Sequence, residues 1–198
     1  MTVSTISQAA LGGDSGRWPL PEAHSAAELW LRAVAAGGQG RYACARADLA
    51  ELLRLEPRGR LVSLARSTQG SFLRQQGWHR HAAGLDGAAW ALAGGDPEAG
   101  VDALAGLAAD ALGVRRLAAS AALLERAERL HRGAGAPPAR LAIRLAWVRA
   151  ELAMAGGDGP AAVRHARRAV ELSAQAAPEL LRHRVKSDVV LAAALCTA

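Results

Sequence analysis

Apolar residues recur at three- and four-residue steps along most of the chain, the spacing that lines up one face of an α-helix. The pattern begins at Ala23, is interrupted by Gly and Pro, and nowhere alternates long enough for a convincing strand. An all-α protein is therefore predicted. Nine helices are expected, at about 23–36, 42–55, 60–76, 79–93, 97–112, 114–132, 138–155, 160–175 and 178–196.

The first 22 residues lack this periodicity. Gly12, Gly13 and Gly16 fall close together, and Pro19 and Pro21 are incompatible with a helix interior. We therefore expect a flexible N-terminal arm over residues 1–22, followed by one helical repeat domain over residues 23–196.

Four glycines in the short turns between predicted helices, at spacings of 37, 36 and 44 residues, indicate an internal repeat. They are Gly40, Gly77, Gly113 and Gly157. Small residues lie five positions after and seven positions before each, where paired helices would cross most closely. These are Ala45, Ala82, Ala118 and Ala162 after the glycines, and Ala33, Gly70, Gly106 and Ala150 before them.

The segment from Gly40 to Ala45, followed by Leu49, Leu52 and Pro57, resembles the second half of a tetratricopeptide repeat. This resemblance implies a right-handed α-solenoid of about four helix-turn-helix pairs plus a C-terminal capping helix. The alternative architecture is a compact, irregular helical bundle. It also implies a concave groove that holds a partner protein or peptide. Looser matches are Gly70 with Leu73 and the segment 158–162, whereas Asp86 stands where a large apolar residue is expected and Glu125 where an alanine is expected.

Two tryptophans lie on predicted first helices of the repeat, three residues before the small residues Ala33 and Ala150. In the resembling family that face lines the groove, and Trp and Arg are the residue types that dominate binding energies. The alternative is that both tryptophans belong to the core between repeats. The candidate groove residues are Trp30, Ser67, Ser71, Arg74, Arg144, Trp147 and Glu151.

Charge is distributed unevenly along the chain. The net charge is +6, and residues 111–198 carry 14 bases and seven acids. Arg182, Arg184 and Lys186 form a candidate basic patch on the last helix, which is expected to be exposed. A nucleic-acid-associated regulatory protein is therefore the alternative function. The apolar residues of the same helix are expected to cover the fourth helix pair: Leu180, Leu181, Val185, Val189 and Leu195.

No catalytic set, metal site or cofactor motif is found in the sequence. Asp86 lies among apolar residues and is expected to pair with Arg66, Arg80 or Arg115. His79 and His81, two residues apart, would point in different directions on a helix.

The two cysteines lack metal or redox spacing, and no apolar run is long enough to span a bilayer. We therefore predict a cytoplasmic, non-catalytic scaffold or adaptor that binds another protein or peptide and not a membrane. Self-association stays open.

Overall fold

The computed structural model describes residues 5–135, 137–176 and 179–198, which form ten helices and no strand. The all-α prediction is confirmed. The helices are α1 (Thr5–Ala10), α2 (Ala26–Gly38), α3 (Tyr42–Leu55), α4 (Arg60–Gln75), α5 (His79–Leu92), α6 (Pro97–Gly113), α7 (Leu117–Gly133), α8 (Ala139–Gly156), α9 (Gly159–Gln175) and α10 (Leu181–Thr197).

Local sequence explains several of the helix ends. The side chains of Asp96 and Asp158 each accept a hydrogen bond from the backbone N–H three residues later. Pro97 is the first residue of α6, and Pro160 is the second residue of α9. An aspartate cap satisfies a free N–H, and proline has none to satisfy. The Asp96 cap therefore marks the start of the α6–α7 pair, and the Asp158 cap marks the turn within the α8–α9 pair.

The helices pack in two groups. The pairs α2–α3, α4–α5, α6–α7 and α8–α9 are each joined by a short turn and packed together. The even-numbered helices also contact one another in order, from α2 through α4, α6 and α8 to α10. Within the described ranges the odd-numbered helices α3, α5, α7 and α9 make no such contacts with one another. The even-numbered helices, called the inner helices below, therefore share one side of the molecule.

The small residues of the repeat lie at the helix crossings, but the third repeat is shifted by two residues. The left-handed turn residue there is Arg115, with φ of 62°, not Gly113. Five residues later lies Ser120, fully buried, while Ala118 is exposed, so its predicted packing role is wrong. Glu125 is likewise exposed, and the buried alanine of that turn is Ala127.

Gly113 marks a close contact and not the turn. A Cβ on this residue would lie 2.2 Å from Nδ1 of His79. The pattern predicted the wrong turn residue because Arg115, and not a glycine, adopts the left-handed turn conformation. Gly113 lies two positions earlier, where its missing side chain makes room for His79.

The N-terminal segment, which the sequence predicts to be a flexible arm, contains a short helix. Helix α1 packs on α2, and Ile6, Ala9 and Ala10 are buried. Arg182 of α10 donates through Nη1 to the backbone oxygens of Ala10, at 3.0 Å, and Val34, at 3.2 Å. The beginning and the end of the helical array therefore meet through one arginine.

The packing face of α10 differs from the predicted one. Ser187, Val190 and Ala194 are buried against the preceding helices. Of the residues expected to cover the fourth pair, only Leu180 is partly buried there. The other four are 38–63% exposed: Leu181, Val185, Val189 and Leu195. The helix is apolar on two sides, so its periodicity alone did not determine which side packs.

Candidate functional site: a cavity between the inner helices

A cavity of about 350 Å³ lies between the inner helices, with Leu11 at its edge. All seven candidate groove residues line it, although they come from three different helices. They are Trp30 of α2, Ser67, Ser71 and Arg74 of α4, and Arg144, Trp147 and Glu151 of α8. The remaining inner helices contribute Asp102 and Ala109 of α6 and Arg182, His183 and Lys186 of α10.

The two tryptophans belong both to the core and to the cavity wall. The indole N–H of Trp147 donates to Oγ of Ser187 at 2.9 Å, and its ring is only 7% exposed. The indole N–H of Trp30 donates to Oγ1 of Thr68 at 3.0 Å. These bonds tie α8 to α10 and α2 to α4. Both tryptophans therefore pack in the core and also line the cavity.

Arg74 links the cavity to two buried carboxylates. Its Nη1 donates to Oδ2 of Asp86 at 2.8 Å and to Oδ1 of Asp110 at 2.6 Å. Asp86 is fully buried and also accepts from Oγ of Ser67 at 2.7 Å. Its predicted pairing with Arg66, Arg80 or Arg115 is therefore wrong.

Two glycines make room for the Asp86 carboxylate. A Cβ on Gly70 would lie 2.9 Å from Asp86 Oδ2, and one on Gly106 would lie 2.5 Å from its carboxyl atoms. The missing side chains at these positions explain how a charged group fits at a crossing where the other repeats bury Leu49, Leu124 or Ala166.

Burial raises the pKa of Asp110 to about 7, although Arg74 acts in the opposite direction. One guanidinium shared by two buried carboxylates cannot fully neutralise both. The second oxygen of Asp110, Oδ2, is buried without a hydrogen-bond partner among the described residues. Burial therefore favours the protonated form of Asp110.

A second ion-pair cluster joins α6 and α8. Arg140 and Arg144 of α8 both donate to Oδ1 of Asp102 on α6, and Arg140 also donates to Glu98 at 2.7 Å. Burial opposes ionisation of Asp102, but the two arginines lower its pKa to about 2. Its charge is therefore fixed at all ordinary pH values.

Two cations of the cavity have no acidic partner within 4 Å in the ranges that the structure describes. Arg182 donates to backbone carbonyls, and Nζ of Lys186 lies 4.6 Å from the ring centre of Trp147. Burial lowers the pKa of both groups. Arg182 is partly buried and Lys186 is exposed to solvent where it lines the cavity, and both attract an anion that enters the cavity.

His183 and Arg74 each add a polar nitrogen without a partner to the cavity lining. His183 stacks on Trp147 with ring centres 5.3 Å apart, and burial lowers its pKa to about 4, so it is neutral. Nδ1 of His183 and Nη2 of Arg74 are buried without hydrogen-bond partners in the described part of the chain. Buried polar groups without a partner are costly, and a ligand oxygen that accepts a hydrogen bond from the Arg74 guanidinium would reduce that cost.

The predicted basic patch does not form one surface. Arg182 and Lys186 line the cavity, whereas Arg184 is exposed and absent from its lining. Sequence reasoning missed Arg140, Asp102 and His183. The available signals were spacings, because Arg140 is four residues before Arg144 and His183 three before Lys186, which puts each pair on one helix face.

A larger cleft of about 530 Å³ opens between α5, α6 and α7, on the other side of Asp110. Nδ1 of His79 lies 3.9 Å from Oδ1 of Asp110 there, with Arg80 and Arg116 in the lining. Only three helices form this cleft, whereas all five inner helices form the central cavity, so we take the central cavity as the candidate site.

Among the described residues no group of three or more potential ligands could hold a metal ion, and no helix is long and apolar enough to cross a bilayer. Cys44 and Cys196 are free and exposed. The chain matches no protein-family model, no curated protein and no solved structure. The cavity's own geometry is therefore the basis for any functional assignment.

Proposed function

We propose that this protein is a non-catalytic interaction scaffold, and that the central cavity binds an acidic segment of a partner protein or peptide. The observation that carries the proposal is the convergence of both tryptophans and five basic side chains on one cavity between the inner helices. These basic residues are Arg74, Arg140, Arg144, Arg182 and Lys186.

Helix packing supports the repeat class on which the proposal rests. Helix pairs whose first members contact in order, while the second members stay apart, are compatible with stacked helix-pair repeats of the tetratricopeptide kind. The recurring buried small residues at the crossings support the same architecture. In such a fold the first helices line the concave side, and on this proposal the cavity between the inner helices is part of that groove.

Charge supports an acidic occupant. Arg74, Arg140 and Arg144 already have buried carboxylate partners, but Arg182 and Lys186 have none within 4 Å among the described residues. The cavity volume is at the low end for ligand sites, enough for one or two side chains and not for a folded domain. A carboxylate from a partner would neutralise these cations while the rest of its segment lies across the rim.

The nucleic-acid alternative depends on one continuous basic stripe. Helix α9, which is not one of the inner helices, exposes Arg164, Arg167 and Arg168. Arg182 and Lys186 instead line the cavity. A polyanion would need these charges on one accessible surface. Their separation therefore favours the scaffold.

The test is affinity capture from native lysate with the purified protein, its Lys186→Met variant and its Arg167→Met variant. Lys186 is the best probe, because its removal leaves no buried acid unpaired. Proteins captured through the cavity should be lost with Lys186→Met, since an anchor typically contributes about 2 kcal/mol or more, and retained with Arg167→Met.

Far-UV circular dichroism must first show that both variants fold like the wild type. Nuclease treatment separates the two functions. If Arg167→Met loses the captured material, Lys186→Met keeps it and nuclease releases it, the protein binds nucleic acid through α9 and the proposal is wrong.

A further inference from the structure

The last helix exposes an unusual share of the large apolar side chains at the surface. Of the seven exposed large hydrophobic residues in the described ranges, four lie on α10. Singly scattered surface hydrophobics are ordinary, but a contiguous group marks an interaction surface. The four residues are Leu181, Val185, Val189 and Leu195, between 38% and 63% exposed.

Leu181, Val185 and Val189 belong to one stripe along the helix, and Leu195 lies beside it. At 3.6 residues per turn, Leu181, Val185, Val189, Ala192 and Cys196 fall within an arc of about 80°. All five are exposed, whereas the opposite side of α10 is buried against α8 and α9. We call this row of five the α10 stripe. No described part of the chain covers it.

Arg184 and Asp188 flank the stripe on one side. Both are exposed, and neither has an ion-pair partner within 4 Å among the described residues. A base and an acid four residues apart are self-complementary when two copies of a helix meet in opposite directions. The same flanks then face each other, and each base can reach the other copy's acid.

We propose that the α10 stripe is the contact between two copies of this chain, packed antiparallel about a two-fold axis near Ser187. With that centre Val185 packs on the partner's Val189. At 1.5 Å per residue, Arg184 and the partner's Asp188 differ by only about 3 Å along the helix axis, close enough to pair. The charge pattern thus selects a second copy over an unrelated partner.

The size of the stripe sets the expected strength. A helix of 17 residues is about 25 Å long, and one helix face buries less surface than a standard interface. We therefore expect a reversible dimer that forms in about the micromolar range. The stripe and the cavity lie on different sides of α10, so the dimer does not depend on the proposed function.

The experiment is sedimentation equilibrium of the full chain over a concentration series. The wild type should move from 20.5 kDa towards twice that mass as concentration rises to about 200 µM. Val189→Glu should stay at the monomer mass. Leu55→Glu is the matched control, because Leu55 is a similarly exposed apolar residue, at 57%, outside the stripe on α3.

Charge exchange tests the antiparallel geometry. Arg184→Asp and Asp188→Arg should each weaken the dimer at least several-fold, and the double variant should restore it, because the pairs reform with reversed sign. Cys196 and the partner's Cys196 would be about 27 Å apart in this arrangement, so mild oxidation should give no disulfide-linked dimer.

Three outcomes would overturn the proposal. One is a wild type that stays monomeric throughout the series. Another is dissociation by Leu55→Glu with no effect of Val189→Glu. The third is ready disulfide linkage through Cys196 with no rescue by the charge exchange, which would mean that any association follows a different geometry.

Discussion

Replacing Arg74 with methionine tests the buried charge cluster most directly. The substitution keeps much of the aliphatic side chain but removes the one cation that both Asp86 and Asp110 contact. Both carboxylates are at most 2% exposed, so neither can regain solvation without distorting a helix crossing. Removing one partner of a buried ion pair costs about 3–5 kcal/mol, and here two aspartates lose their cationic partner.

The assay is urea unfolding at pH 8 followed by far-UV circular dichroism. We expect Arg74→Met to lower the free energy of unfolding by about 3–5 kcal/mol. The matched control is Arg66→Met on the same helix, because Arg66 bonds only to Gln69 among the described residues and should change stability by less than about 0.5 kcal/mol.

A second substitution separates charge from packing. The corresponding crossings of other repeats bury Leu49 and Leu124, so Asp86→Leu removes one uncompensated charge and supplies the apolar group usual at that position. The variant carrying both Arg74→Met and Asp86→Leu should therefore be more stable than Arg74→Met alone. Equal or lower stability of the double variant would contradict the assignment of Asp86 as a buried charge.

The same cluster predicts a pH dependence. The pKa of Asp110 is raised to about 7 in the folded state from an ordinary value of 3.8. Between these values the folded state binds more protons than the unfolded state, so the contribution of Asp110 to stability falls as pH rises from about 4 to 7. The loss caused by Arg74→Met should accordingly be smaller at pH 5 than at pH 8. A loss that does not change with pH would refute this reasoning.

The remaining predictions concern packing. Ala82→Leu should overpack the α4–α5 crossing and cost about 1–3 kcal/mol in urea unfolding, whereas Ala118→Leu, at an exposed position, should change stability by less than about 0.5 kcal/mol. Ile6→Ala should cost about 2 kcal/mol of local stability, seen as faster amide exchange in α1 while α6 is unaffected. Trp147→Phe removes the donor to Ser187, and should lower the unfolding midpoint of the whole chain by more than Trp30→Phe, because Trp147 is the more buried indole.

The long helices could be predicted because each has several turns of apolar periodicity and a Gly or Pro boundary. Helix α1 could not, because Thr5–Ala10 is six residues, less than two turns, and its burial depends on contacts with α2. A short helix stabilised by tertiary packing leaves little periodic signal. This weak periodic signal explains why residues 1–22 were expected to form a flexible arm.

The repeat register could be predicted where glycine takes the left-handed turn and not where Arg115 does. Shifting the third repeat to Arg115 makes Ser120 and Ala127 the equivalents of Ala45 and Leu52, and all four are fully buried. The apparent departure at Glu125 then disappears. Asp86 remains a true departure, because its compensation comes from Arg74, 12 residues earlier in the chain, and from two glycines on neighbouring helices.

Seven residues of the cavity lining could be predicted from their positions on first helices, but their partners could not. The pairs formed by Arg144 with Asp102 and by Trp147 with Ser187 join residues about 40 positions apart, and helical periodicity gives no information on such distances. Periodicity identifies a face, whereas the packing of one helix pair on the next determines which charges meet. Arg184 was therefore grouped with Lys186 although the two side chains lie on different sides of α10.

The three sides of α10 make the two proposals independent. Arg182 and Lys186 contribute to the cavity, Ser187 and Val190 pack on neighbouring helices, and Val189 belongs to the exposed stripe. A substitution at Val189 therefore leaves the cavity cations in position, and one at Lys186 leaves the stripe intact. If Val189→Glu abolished partner capture as well as the dimer, the partner would require two copies of the cavity. If Val189→Glu abolished only the dimer, a single cavity would be enough to capture the partner. Binding by two copies at once would then make no contribution to the affinity.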